Sequence, residues 1–308
     1  MTVRTALPRI AALLVALAIV AGTALDPVPT LTATYRGGYR VLEADFHAHT
    51  RFADGFLSPF DLVLQARRRG LDVLAITEHN IVFPAKMGRW FSRIVGGPTI
   101  LVGEEVTKRG AHLHGVGLTE RVDASLPMAQ VLAEIHRQGG IAIAAHPVVA
   151  MQGPFLDQLD HIDAAEVMHP IAFQTSRGAW RWTEMRDFYE HALASGHHLT
   201  AIGSSDYHAG SPLGICRTLV FATDTSAGAV LEALKAGRTV VYDLDGHPYG
   251  DPEMAALLAR EPYTMRPQDY GYHGTGPADR MTRALGWLGL VGLVLFGLRR
   301  RDKSATSH

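Results

Sequence analysis

The sequence has almost no cysteine, little charge and no excess of charge of either sign. Cys216 is the one cysteine among 308 residues, which excludes an intrachain disulfide and a zinc site built on several cysteines. Lysine and arginine number 29 against 30 aspartate and glutamate, a balance that gives no signature of a polyanion-binding protein. Charged residues make up 19% and hydrophobic residues 47%, which excludes intrinsic disorder for most of the chain. A folded protein with a sizeable core is therefore expected.

Both ends of the chain carry an uncharged apolar run. Residues 10–25 follow two arginines and end in small residues, which is typical of a signal peptide. We therefore predict a signal peptide or an N-terminal anchor over residues 1–25. A buried core helix is the alternative, and the basic flank at the N-terminus argues against it.

The C-terminal run, residues 284–298, is predicted to be a transmembrane helix that attaches the chain to a membrane. It is short for a hydrocarbon core of about 30 Å, so a buried helix and a trimmed surface-sorting tail remain alternatives. The arginine-rich tail of residues 299–308 favours a cytoplasmic C-terminus. Both basic flanks then lie on one side of the cell membrane, and the domain between them is expected on the extracytoplasmic side.

The central part of the chain alternates short apolar runs with helical stretches. This alternation is typical of βαβ proteins and favours a barrel. Several runs are apolar throughout, as expected for parallel strands that are buried on both faces. The predicted strands are residues 41–46, 73–76, 99–102, 113–118, 141–145, 164–168, 199–202 and 217–222. Residues 244–283 are rich in glycine, proline, tyrosine and aspartate with little periodicity, and they are predicted to be a linker.

Histidine is the residue in excess, with 16 in the chain, and many of them follow predicted strands. Polar segments stand at strand ends in residues 45–49, 77–80, 103–105, 112–114, 145–147 and 204–208. Residues i and i+2 of a strand point to one side, so His47 and His49 can bind one ion. One such pair is weak evidence, and His146 alone is equally compatible with a hydrogen-bonded core position. Because barrel strands end at one mouth, charges buried there need cations, and a divalent metal is expected.

In their order along the chain, these motifs resemble the PHP family of metal-dependent phosphoesterases. They read D-F-H-A-H-T (45–50), A-D-G (53–55), I-T-E-H-N (76–80), G-E-E-V-T (103–107), H-L-H-G (112–115), A-H-P (145–147) and S-D-Y-H (205–208). The resemblance implies an α/β fold, a distorted seven-stranded (β/α) barrel, over residues 41–243. It also implies two to three divalent metals, and the mixture of imidazole and carboxylate suits Zn, Mn or Fe better than Mg alone.

The resemblance assigns nine ligands to three ions. The first ion would be bound by His47, His49, Glu105 and Asp206. The second would share Glu105 and add His112 and His146. The third would be bound by Asp54, His79 and His208. The family often has aspartate where Glu78 stands and asparagine where His169 stands, and it has no role for His114.

The resemblance and the ligand chemistry together predict the activity. A metal-activated water would attack a small phosphate ester or a nucleotide, and the ions would stabilise the charged phosphoryl oxygens. Asp206 is predicted to orient the water. His208 is predicted to protonate the leaving group, a role that a metal-bound water could equally fill. Arg51 and Arg177 are candidates for phosphate binding, and a solvated surface arginine is the alternative for each.

Two other functions remain open at this stage. Metals at a barrel mouth also polarise carbonyl groups, so a metal-dependent amidohydrolase is one alternative. A non-catalytic, metal-dependent binding module at the cell surface is the other, and the presence of all nine ligand types argues against it. We expect a small-molecule substrate and no specific nucleic-acid partner.

Overall fold

The structure, a computed structural model, describes residues 3–24, 29, 31–173, 180–208, 212–266 and 277–305. Contacts within the chain divide it into two compact units. The larger unit consists of residues 28–270, and the smaller unit combines residues 1–27 with residues 271–308.

The larger unit is built on one curved sheet with helices packed against it. Its strands are β1 (Thr34–Arg36), β2 (Tyr39–Asp45), β3 (Val73–Ile76), β4 (Thr99–Lys108), β5 (Ala111–Val116), β6 (Ile141–Ala145), β7 (Ala164–Met168), β8 (Thr200–Gly203), β9 (Thr218–Ala222), β10 (Thr239–Tyr242) and β11 (Pro248–Gly250). Its α-helices are α2 (Pro59–Arg68), α3 (Phe83–Val95), α4 (Met128–Arg137), α5 (Val149–Leu156), α6 (Trp182–Ala194), α7 (Ala227–Lys235) and α8 (Pro252–Arg260).

The strand order is β11-β10-β9-β2-β3-β4-β5-β6-β7-β8, with β1 paired to β2. Threonine hydroxyls of β9 and β10, near one end of this order, bond to the backbone of β8 at the other end. Thr218 Oγ1 donates to the carbonyl oxygen of Gly203 at 2.8 Å, and Thr239 Oγ1 donates to that of Ala201 at 2.9 Å. The sheet is therefore nearly closed, and the predicted α/β barrel-like architecture is confirmed.

Strand direction departs from a simple parallel barrel around β5 and among β1, β2 and β9 to β11, where the neighbouring strands pair antiparallel. The pairs β2–β3, β3–β4, β6–β7 and β7–β8 are parallel, but β5 runs antiparallel to both neighbours and β9 antiparallel to β2. Only Arg109 and Gly110 join β4 to β5, and Gly110 has a φ of 81°. Such a turn makes a hairpin, because a parallel crossover needs a dozen or more residues. The hairpin places His114 directly opposite Glu105.

The core lies on both faces of the strands, as their apolar runs predict. In β3, Leu74 and Ile76 pack in a cluster with residues of α2 to α6, whereas Val73 and Ala75 pack in another with α7. This alternation follows from the two-residue period of a strand. Burial of a side chain such as Ile76 contributes about 1.5–3 kcal/mol. The core fixes where each strand ends and so positions the residues that follow.

The predicted linker is wrong in its first part. Residues 248–266 fold onto the larger unit as β11, α8 and a following extended segment. Asp251 caps α8 by accepting the N–H groups of Glu253 and Met254 at 2.8 and 3.1 Å. Met254, Leu257 and Leu258 pack against β2, β9 and β10. Three apolar residues in so short a helix give a periodicity too brief to stand out among turn residues.

The smaller unit is described by two helices, α1 (Val3–Ala24) and α9 (Pro277–Ala305). They pack antiparallel through small residues, with Ala18 beside Gly286 and Ala11 beside Gly292. At Gly289 a Cβ atom would lie 2.6 Å from the carbonyl oxygen of Ala11, so the close approach requires glycine. Large apolar side chains point outwards.

No helix among the described residues has both the length and the apolar character that crossing a membrane requires. The structure thus gives no support to the predicted N-terminal anchor or to a transmembrane helix over residues 284–298.

Candidate metal centre

Backbone pairing continues beyond the strand ends and holds the polar segments side by side. Ala48 forms a parallel bridge with Tyr207, and His79 forms one with Glu105. The N–H of His49 donates to the carbonyl oxygen of Tyr207 at 2.9 Å. The segments that follow β2, β3 and β8 therefore converge on the middle of β4, as the barrel mouth predicts.

The structure brings all nine predicted ligands into one connected cluster, whose members are His47, His49, Asp54, His79, Glu105, His112, His146, Asp206 and His208. The group predicted for the first ion is the deepest. His47 Nε2 lies 2.9 Å from Asp206 Oδ1 and 2.8 Å from His49 Nε2. The side chains of both histidines are fully buried.

Glu105 occupies the centre of the cluster. Its Oε1 atom lies 2.9 Å from His112 Nδ1 and 3.3 Å from His146 Nε2. Its Oε2 atom lies 3.3 Å from His49 Nε2 and 2.9 Å from His79 Nδ1. Oε1 thus faces the predicted second group, whereas Oε2 faces one member each of the first and third groups. This is the geometry required of a residue shared by two ions.

The group predicted for the third ion is the outermost. Asp54 Oδ2 lies 3.2 Å from His79 Nε2 and 3.2 Å from His208 Nε2. The side chain of Asp54 is 51% exposed, whereas that of Glu105 is 1% exposed. Depth therefore increases from the third group to the first, and solvent reaches the cluster from the side of Asp54.

The donor atoms of the cluster are better arranged to bind cations than to form hydrogen bonds with one another. Among the described residues, Glu105 Oε2, Asp206 Oδ1 and His146 Nδ1 are buried without a hydrogen-bond partner. The two oxygens lie 2.9 Å from imidazole nitrogens of His79 and His47, yet neither forms a hydrogen bond with them. Buried polar atoms without partners are costly, and ligand atoms that surround a common point are satisfied by an ion. The residues present therefore fit divalent metals.

Charge coupling inside the cluster shifts the pKa values strongly. Burial lowers the pKa of His47, but the charges of Asp206, Glu166 and Glu105 outweigh it and hold this pKa well above its ordinary value. Burial raises the pKa of Glu105 and of Asp206, but His47 and its neighbours hold both well below their ordinary values. A proton on His47 thus offsets part of the carboxylate charge without metal. A cation that replaces this proton releases it, so metal affinity is expected to rise with pH.

Backbone strain is concentrated at the same place. His146, Asp206 and Asn80 have φ angles of 28°, 42° and 54°, and no other described residue except glycine has a positive φ. Each such conformation costs about 1–3 kcal/mol and persists only where the surroundings enforce it. Two of the three are predicted ligands, and the third follows His79. The strained backbone conformations therefore occur where the predicted ligand side chains need a particular orientation.

Carboxylates outside the ligand set fix the ligand histidines and loops. Glu166 in β7 accepts from His47 Nδ1 at 2.9 Å and from the N–H of His146 at 2.6 Å. Glu78 accepts the N–H of Thr50 at 2.9 Å. The motif E-V-M-H over residues 166–169 contained the signal for Glu166, which the sequence analysis left without a role.

Other candidate residues have different outcomes. Arg51 is exposed, and its guanidinium donates to the carbonyl oxygen of Phe56 at 3.2 Å, so its role in phosphate binding stays a prediction. Arg177 lies outside the described residues.

His114 is fully buried, with its ring centroid 4.0 Å from that of His47. Trp180, which sequence reasoning missed, stacks on His146 with the ring centroids 5.3 Å apart.

Glu104 faces away from the cluster, because side chains alternate along β4. Its Oε2 atom accepts the N–H of Val122 at 2.8 Å, and its Oε1 atom is buried without a hydrogen-bond partner among the described residues. Burial raises the pKa of Glu104 from 4.5 to about 7. The folded protein therefore binds a proton there more tightly than the unfolded chain does. This site costs stability as the pH rises above 4.5, and the cost is complete above pH 7.

We expect Glu104→Gln to raise the free energy of unfolding by about 1–3 kcal/mol at pH 8 and to change it little at pH 4. Urea unfolding of the metal-free protein at the two pH values measures this difference. Glu120→Gln, at an exposed position, is the matched control. An effect of the Glu104 variant that is equal at both pH values would contradict the prediction.

Comparisons with known proteins place the fold. A scan against protein-family models finds no match. The chain is 28% identical over 146 residues to an uncharacterized protein of Methanocaldococcus jannaschii, an alignment that covers 42% of this chain and 82% of that protein. The structure is similar, with a TM-score of 0.61, to a two-domain protein of Bacteroides vulgatus that contains a predicted PHP-like metal-dependent phosphoesterase.

The Bacteroides vulgatus protein is 22% identical to this chain, and the match covers 76% of this chain and 73% of that one. At this identity the likeness concerns the fold. The resemblance to the PHP family is therefore confirmed at the level of the fold: this chain has the fold of a PHP-like protein.

Proposed function

We propose that this protein is a metal-dependent hydrolase, and more narrowly a phosphoesterase of the PHP type. The observation that carries the proposal is the convergence of nine imidazole and carboxylate side chains, from seven sequence motifs, with the carboxylate of Glu105 at the centre. The PHP-like fold supports the narrower reading. Perturbed titration in a strained, partly open site is typical of catalytic centres rather than structural ones.

Bound divalent ions, two to three per chain from among Zn, Mn and Fe, would activate water and offset the charge of the phosphoryl oxygens. The chain's own residues divide the remaining work. Glu105, Asp206 and the buried histidines would hold the inner ions, whereas His208, whose side chain is 34% exposed, faces the open side beside Asp54. A leaving oxygen that enters from this side can receive a proton from His208. The open side suits a small phosphate ester or a nucleotide, without specific nucleic-acid recognition.

The test is an assay of the purified full-length chain, stripped of metal and reloaded with Mn, Zn or Fe. We expect hydrolysis of an aryl phosphate with at least one of these metals, and its loss when a chelator removes the metal. Hydrolysis of an aryl amide without any hydrolysis of the phosphate would favour the amidohydrolase. Bound metal without turnover of either substrate would favour the binding module.

We also propose that the smaller unit attaches the protein to the cell membrane, with the larger unit on the extracytoplasmic side. Support comes from the basic flanks in the sequence and from the outer surface of the helix pair, where Leu13, Val20, Trp287 and Leu288 are more than half exposed. Outward-facing large apolar residues around a seam of small ones are typical of helices packed in lipid.

We expect the full-length chain to stay with the membrane fraction after alkaline carbonate washing. Protease added outside intact cells should digest the larger unit. Recovery of the chain in the supernatant would contradict attachment, and protection from the protease would contradict the orientation.

A further inference from the structure

His169 follows β7 directly and belongs to none of the three predicted ligand groups, yet it contacts one of their members. Its Nε2 atom lies 3.2 Å from Asp206 Oδ2, and its side chain is only 5% exposed. The ring of His169 also meets that of His146 edge-on, with centroids 5.8 Å apart. His169 is thus held in a buried position behind the ligands.

The hydrogen bonds of His169 define which nitrogen carries its proton. The backbone N–H of Ile171 donates to His169 Nδ1 at 3.3 Å, so Nδ1 is an acceptor. A neutral imidazole has one N–H, which must then be on Nε2. His169 therefore donates this proton to Asp206 Oδ2. The direction of donation runs from the Ile171 backbone through His169 to Asp206.

This contact leaves the other oxygen of Asp206 for the ion. With Oδ2 held by His169, Oδ1 faces His47 Nε2 at 2.9 Å and His49 Nε2 at 3.4 Å. The φ of Asp206 is 42°, a conformation that the surroundings must maintain. We propose that His169 is a positioning residue that holds Asp206 in the orientation that binds the first ion. The inference rests on the ion binding of the proposed function.

Two conservative substitutions separate a positioning role from simple packing. The side-chain nitrogen of glutamine reaches as far from the backbone as His169 Nε2, whereas that of asparagine reaches only as far as Nδ1. His169→Gln can therefore still donate to Asp206 Oδ2, and His169→Asn cannot. Loss of such a partner behind a ligand typically lowers metal affinity by about 10–100-fold.

The experiment is equilibrium dialysis of the full-length wild-type chain and of both variants against Mn²⁺. We expect His169→Asn to weaken the binding of one ion by about 10–100-fold without affecting the others, and His169→Gln to bind like the wild type. His161→Asn, outside the cluster, is the matched control. Thermal unfolding of the metal-free proteins checks that each is folded. If the asparagine variant is not, His169→Met, which fills the space without donating, replaces it.

The outcomes separate this inference from the proposal on which it rests. Equal affinities in the wild type and both variants, or equal losses in both variants, would overturn the positioning role and leave the proposed function standing. A wild-type chain that binds no Mn²⁺, Zn²⁺ or Fe²⁺ would overturn both.

Discussion

Asp206→Ala is expected to lower the rate of hydrolysis by at least about 10²–10³-fold and to reduce the number of bound ions by one. Its Oδ1 atom lies 2.9 Å from His47 Nε2 and 3.4 Å from His49 Nε2, at the deepest point of the cluster. Without this oxygen, only His47, His49 and Glu105 would remain to hold the first ion, and less negative charge would offset the cation. Turnover of an aryl phosphate and metal analysis after dialysis measure the two effects.

The control for this substitution is His197→Ala. His197 pairs with Asp160 at 3.0 Å and lies outside the cluster, so both activity and metal content should be unchanged. Thermal unfolding of the metal-free variants distinguishes loss of the site from loss of the fold. If the two variants lose activity equally, the effect of Asp206→Ala is one of folding and the assignment of the site fails.

The side chains that meet in the cluster were predictable from short motifs together with the family resemblance. His47 and His49 are two residues apart beyond an apolar run, and the same spacing relates Asp206 to His208. A strand turns that spacing into a shared direction, and a barrel brings strand ends together. The local pattern therefore indicated which segments meet in space, and the resemblance to the PHP family supplied the individual side chains.

The groups that orient the ligands were not predictable in the same way. Glu166 meets His47 across 119 residues of chain, and His169 meets Asp206 across 37. The motif E-V-M-H places both residues at a strand end, but nothing in it indicates which ligand each one contacts. The positive φ of Asp206 is likewise enforced by tertiary contacts, since aspartate has only a weak preference for that conformation. Such features depend on packing that no local pattern encodes.

Local sequence also failed to predict two features of the fold, the direction of β5 and the structure of residues 248–266. The apolar run over residues 113–118 correctly predicts a strand. It does not indicate whether the strand is parallel or antiparallel to β4, because the short turn at Gly110 determines that. The segment after β10 combines one short apolar helix face with polar contacts that have no periodicity in the sequence. Tyr263 donates to Glu43 Oε1 at 2.7 Å, and Arg266 pairs with Asp72 at 2.6 Å.

A buried ion pair lies beneath that segment. Arg217 Nη1 contacts Glu43 Oε2, and both side chains are fully buried. Arg217 also donates through Nε to the carbonyl oxygen of Gly214 at 3.0 Å and through Nη2 to that of Arg69 at 2.7 Å. Breaking one side of such a pair leaves a buried charge without its counterion and two carbonyl groups without donors.

We therefore expect Arg217→Met to lower the free energy of unfolding by about 3–5 kcal/mol. Urea unfolding of the full-length chain measures the loss. The exposed pair of Arg137 and Glu134 gives the matched control, since Arg137 is 65% exposed and Arg137→Met should cost less than about 1 kcal/mol. The double variant Glu43→Gln/Arg217→Met should recover part of the stability lost in the single variant, because the uncompensated carboxylate is then removed. If Arg217→Met lowers the free energy of unfolding no more than the surface control does, the prediction is wrong. The hydrogen bonds from Tyr263 and the Arg266 backbone would then be sufficient to stabilise the Glu43 carboxylate. The segment that follows α8 would then be the main source of stability in this region.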